Sequence, residues 1–98
     1  MIKRIVRLCF KKENTEIFEE IFHKSKHQIR TFSGCEHLEL CKDVKDERVY
    51  YTVSIWDHED SLEAYRKSPL FETTWAKTKI LFDEKPMAFS LKTLETLT

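Results

Sequence analysis

The sequence predicts an α+β fold of ferredoxin-like type, β-α-β-β-α-β, with its four strands in one antiparallel sheet. Three observations lead there. The run Val49-Tyr50-Tyr51-Thr52-Val53-Ser54-Ile55-Trp56 is dense in β-branched and aromatic residues and reads as the central strand. Asp57-His58-Glu59-Asp60 follows at once and offers N-cap and first-turn carboxylates to a helix. Ser68-Pro69 then opens another helix, because serine caps and proline at the first helical position gives up an amide that had no partner.

In chain order, residues 3–10 alternate loosely, with Val6, Leu8 and Phe10 on one face, and form the first strand. Asn14 and Thr15 are N-cap candidates, after which Ile17, Phe18, Ile21, Phe22, Ser25 and Ile29 fall on one helical stripe that ends near Arg30. Phe32-Ser33-Gly34-Cys35 breaks this helix, glycine being able to take the left-handed conformation. The stretch 35–42 alternates as a second strand, setting Leu38 and Leu40 against Cys35, His37, Glu39 and Cys41. A charged turn, Asp43-Val44-Lys45-Asp46-Glu47, joins it to the central strand as a hairpin. Helices over 60–67 and about 69–82 come next; Asp83-Glu84-Lys85-Pro86 interrupts, and 87–94 form the fourth strand, with 95–98 fraying. The 98 residues read as one domain, free of linker, repeat or low-complexity segment.

Lysine plus arginine (17) balances aspartate plus glutamate (17), so no net field draws the chain to nucleic acid or an anionic membrane. No apolar run has the length of a membrane span, and the N-terminus lacks the apolar core of a signal peptide, which predicts a cytoplasmic protein. Cys9, Cys35 and Cys41 are an odd count without a CxxC pair and read as free thiols. Only one glycine, Gly34, is present, which excludes a glycine-rich phosphate loop. His23 and His27 stand at a metal-compatible spacing but off the apolar stripe, so they read as solvated, and no metal site is expected.

Counting faces predicts a partner. The helices cover one side of a four-stranded sheet, yet the central strand is apolar on both (Val49, Val53 and Ile55; Tyr50 and Trp56), as the fourth strand is in part (Met87, Phe89 and Leu91; Ala88 and Leu94). A homodimer packing sheet on sheet would cover the remaining face.

Phe32-Ser33-Gly34-Cys35 before a strand, Trp56 ending the central strand, Tyr65-Arg66-Lys67-Ser68 with Phe71 soon after, and Lys85-Pro86 before the last strand together resemble the antibiotic biosynthesis monooxygenase domain family. The resemblance spans nearly the whole chain. It implies a dimeric α+β barrel and a monooxygenase that works on a small aromatic or quinol-like compound with no cofactor. Where haem-degrading members carry a tryptophan, an iron-ligating histidine and an asparagine, this chain has Tyr65, Trp75 and approximately Val6. Indole offers iron no lone pair, so haem degradation is not expected. Where anthrone-oxygenase members end the central strand in tryptophan with an asparagine four residues before it, this chain has Trp56 and Thr52.

Oxygenation without a cofactor needs a substrate that itself gives an electron to oxygen, held in a dry pocket that favours its deprotonation. Thr52, Ser54 and Trp56 share a strand face, and Tyr65, Phe71 and Trp75 lie on the helices above it. The catalytic candidates are Trp56, Thr52 and Tyr65, and the substrate-binding candidates are Phe71, Trp75, Ser54 and His37, the histidine as a proton shuttle. Two other functions fit the same residues. One is a non-catalytic small-ligand-binding or accessory protein with a filled core; the other is an isomerase of a small carbonyl compound or sugar phosphate, whose cationic clamp would come from Arg4, Arg7 and Arg66.

Overall fold

A computed structural model describes residues 1–98. Its elements are β1 (Ile2–Phe10), a short 3-10 turn (Lys12–Asn14), α1 (Thr15–Arg30), β2 (Cys35–Lys42), β3 (Val49–Trp56), α2 (Glu59–Arg66), α3 (Pro69–Lys79) and β4 (Phe82–Lys92). The strands lie in the order β2-β3-β1-β4, and every neighbouring pair is antiparallel. The ferredoxin-like order is therefore present. The barrel that the family resemblance implied is not: β2 and β4 are free edges at opposite sides of the sheet, and the sheet is open. Strands twist by only about 20–25° each, so four of them turn far too little to close on themselves.

Local chemistry accounts for the elements. Ser68 caps α3, its Oγ accepting from the Phe71 amide at 3.1 Å, and Pro69 follows at the first helical position. At α2 the cap is His58 rather than an acid, with Nδ1 accepting from the Asp60 amide at 3.0 Å. Gly34 has φ of +90° and packs so closely that an added Cβ would collide with the side chains of Ser61 and Asp57. Its carbonyl accepts from the Asp57 amide at 2.9 Å, fixing the α1–β2 turn to the end of β3.

Three sequence expectations shift. Helix α3 stops at Lys79, short of Phe82, leaving Ile80 74% exposed. Strand β4 begins at Phe82 and runs through Asp83-Glu84-Lys85-Pro86 instead of starting after it. It does so through irregular pairing: Arg7 meets Met87, but Cys9 meets Glu84, so Pro86 occupies a bulge on an edge strand where its missing amide breaks no ladder. Leu94 lies beyond the strand and is exposed.

The helices lie on one face of the sheet, over β2, β3 and β1, while Ala88 and Ser90 of the edge strand β4 stay exposed on that side. Leu8, Phe10, Phe18, Tyr50 and Leu81 form one buried cluster there, and Cys35, Trp56 and Leu62 a second. Ile17, expected on the buried stripe of α1, is half exposed. The opposite face carries the aligned rows His37–Ile55–Lys3–Leu91, Glu39–Val53–Ile5–Phe89 and Cys41–Tyr51–Arg7–Met87, and no element of the chain packs over it. Met87, Phe89 and Leu91 are about half exposed on that side.

Candidate functional site

Between the two buried clusters, under the helices, lies a cavity of about 120 Å³. The strand face supplies Arg4, Val6, Thr52, Ser54 and Trp56, while Ile21, Phe22 and Ile29 of α1, Leu62, Tyr65 and Arg66 of α2, and Trp75 of α3 enclose it. Period-two alternation explains the strand contribution: Ser54 is cross-strand from Arg4, and Thr52 from Val6, on the face that the helices cover.

Trp56 is almost wholly buried, and its indole Nε1 donates to Ser54 Oγ at 2.9 Å. The indole N–H is thereby satisfied inside the protein, and the hydroxyl hydrogen of Ser54 stays free to turn toward the cavity. Tyr65 stacks on Trp56 with ring centroids 5.1 Å apart. Burial, with a smaller contribution from Cys35, pushes its pKa up to about 12, so the phenol stays neutral at physiological pH. No hydrogen bond within the chain contributes to that shift, and the hydroxyl is not a fully enclosed orphan, so it is a donor with an open position.

Five of the seven sequence candidates, Thr52, Ser54, Trp56, Tyr65 and Trp75, meet at this cavity. Phe71 stands behind its wall, edge-on to Tyr65 at 5.3 Å and stacked on Trp75 at 5.8 Å. His37 is elsewhere. A bulge between Cys35 and His37 makes Cys35 pair with Trp56 and His37 with Ile55, so the thiol turns under the helices and the imidazole to the open face. Strict alternation predicts the two on one side. On the open face His37 Nε2 lies 2.9 Å from Glu39 Oε2. His37 therefore cannot shuttle protons for a ligand in this cavity.

Arginines complete the lining. Arg4 comes from β1, with Nη1 donating to Ser90 Oγ at 2.9 Å. Burial, and next the neighbouring charge of Arg66, lower its pKa, though a guanidinium remains cationic throughout the accessible range. Arg66 sits at the more exposed end and pairs with Glu63 at 2.9 Å. Arg7, by contrast, projects from the open face to Glu84 at 3.1 Å. The lining holds no carboxylate, imidazole, amine or thiol. It can donate hydrogen bonds and supply positive charge, but it carries no group of ordinary basicity to remove a proton.

Residues 1–77 match the antibiotic biosynthesis monooxygenase family. No curated protein matches the chain. Among solved structures, a crystal structure of an antibiotic biosynthesis monooxygenase superposes with a TM-score of 0.91 at 16% identity, covering 97% of this chain and 100% of that one. A protein of Nitrosomonas europaea described by the same family name gives 0.90 at 16% identity over 97% and 100% of the two chains. One of Caulobacter crescentus gives 0.90 at 19% identity over 96% and 90%. At these identities the likeness is one of fold.

Proposed function

The chain belongs to the antibiotic biosynthesis monooxygenase family, and from that premise we propose that its cavity holds a small aromatic or quinol-like compound and oxygenates it with electrons drawn from the substrate itself. The observation that carries this reading is an aromatic-walled cavity of about 120 Å³ whose polar groups, apart from the arginines and the indole N–H groups of Trp56 and Trp75, are the hydroxyls of Thr52, Ser54 and Tyr65 and others on the helices. A cavity of about 150 Å³ accepts one benzene ring, so the space here suits one ring at most, with substituents directed to the mouth. Fused tricyclic anthrones are too large for it.

For a hydroquinone the balance is ring plus O2 giving hydroxybenzoquinone plus water. One oxygen atom joins the ring, the other leaves as water with two hydrogens of the substrate, and the ring supplies all four electrons. Thr52 and Ser54 orient the ring oxygens, Tyr65 donates to the oxygen that gains charge, and Trp56 and Trp75 hold the ring and exclude water. We further propose a homodimer through the open sheet face, one domain over residues 1–98, and a cytoplasmic setting, the last supported by the free thiols Cys9, Cys35 and Cys41.

Oxygen uptake with a panel of one-ring hydroquinones tests the reaction. Wild type should exceed buffer autoxidation, Thr52→Ala should lose about tenfold and Trp56→Phe more; uptake no faster than buffer throughout the panel would refute oxygenation. The isomerase reading gains from Arg4 and Arg66 at the cavity but loses more, since proton abstraction beside a carbonyl needs a base that the lining does not contain.

A further inference from the structure

We infer that the cavity is built for a ligand that enters as an oxyanion, a one-ring carboxylate or phenolate whose charge is anchored by Arg4 and Arg66. This rests on reading the cavity as a ligand site, and it names the ligand's class; it does not depend on oxygenation.

Two cations at one small cavity repel each other, and in this chain that arrangement is only partly relieved. Arg66 has Glu63, while Arg4, the more enclosed of the two, has only the neutral hydroxyl of Ser90 as a hydrogen-bond partner. The pair and its one carboxylate leave about one positive charge at the mouth, and the guanidinium of Arg4 retains donors for a planar oxyanion. Two other arginines are matched: Arg7, on the sheet, with Glu84, and Arg48, in the turn before β3, with both Asp46 and Asp83.

Arg4 also stands out by register. Its strand neighbours Val6, Leu8 and Phe10 on the same face enter the apolar core, so an arginine in that row is not placed by the packing pattern. The remaining polar groups agree in sign, because Tyr65, Ser54 and Thr52 can all donate to the same anion. With no base in the lining, a substrate that must be deprotonated to react has to arrive ionised or be ionised by the stabilisation its anion receives. The arginines supply that stabilisation.

The chain has two tryptophans, Trp56 and Trp75, and both line the cavity, so intrinsic fluorescence reports on its contents. Benzoate should quench this fluorescence and bind at least tenfold tighter than benzamide, its neutral analogue of the same shape. Arg4→Met should remove that preference by weakening benzoate about tenfold or more; Arg4→Lys, which keeps the charge, should retain most of it. In a parallel arm, para-nitrophenol should bind as its yellow anion at a pH where it is largely protonated in solution. Binding of benzoate alone assigns the anchor to a carboxylate, and of nitrophenolate alone to a phenolate. Equal affinity for benzoate and benzamide with no shift of nitrophenol, a preference that survives Arg4→Met in a variant of native circular dichroism, or no quenching by any probe would each overturn the inference. Hydroquinone oxygen uptake without anion preference sinks this inference alone, whereas anion preference without oxygen uptake sinks oxygenation alone.

Discussion

Trp56 shows how little of a side chain's role follows from its identity. A tryptophan ending the central strand suggests an indole N–H aimed at a substrate, but here that N–H is held by Ser54. Ser54→Ala should strand a buried donor and cost about 1–3 kcal/mol, read by chemical denaturation. Tyr65 gives a pH signature. Its folded pKa, about 12, lies above the ordinary 10.0, so the unfolded chain ionises first; its contribution is intact below pH 10 and lost as pH climbs toward 12. Tyr65→Phe should therefore lose less stability than wild type over that window, by about 2–3 kcal/mol at its upper end. Gly34→Ala adds a Cβ at φ of +90° against Ser61 and Asp57, and should cost about 2–3 kcal/mol in the same assay. That Thr52, Ser54, Trp56, Tyr65 and Trp75 meet at one cavity was legible because alternation and helical spacing needed no correction there. Arg4 carried a readable signal, a cation in an apolar row, that outweighs its use as one of three candidate clamp residues. The placing of His37 was not legible, since one bulge residue reverses alternation and nothing local in Cys35-Glu36-His37 announces it.

At the scale of elements, the joint between α2 and α3 holds the cavity's roof. Ser68 Oγ donates to the Tyr65 carbonyl at 2.6 Å and accepts from the Phe71 amide at 3.1 Å, so one hydroxyl closes the end of one helix and caps the next. Tyr65 and Trp75 stand on either side of that joint. Ser68→Ala should cost about 1–2 kcal/mol, and should weaken aromatic-ligand quenching more than Thr73→Ala, a surface change on α3. Helix starts were readable from Ser68-Pro69 because capping is local chemistry. The start of β4 was not, because Asp83-Glu84-Lys85-Pro86 has turn composition and becomes a strand only through pairing with β1, seventy-odd residues distant in sequence.

For the whole molecule, the question is the open face of the sheet. Helices roof one side, and the rows centred on Ile5, Val53 and Phe89 are left bare. Reading apolar residues on both faces of β3 was enough to find that side, while the barrel inferred from family likeness fails because the two edge strands never meet. If a second copy covers the face, sedimentation at micromolar concentration should give a dimer, and Phe89→Lys should give a folded monomer; a wild-type monomer at every concentration would refute the assembly.

The bulge in β2 sends two thiols of one strand to opposite sides, Cys35 inward and Cys41 outward. Alkylating reagents can therefore time two separate events on the same molecule. Cys41 should be modified at once in dilute solution and be shielded as protomers associate, while Cys35 should wait for the roof helices to lift, so a single mass-spectrometric time course would separate association from opening.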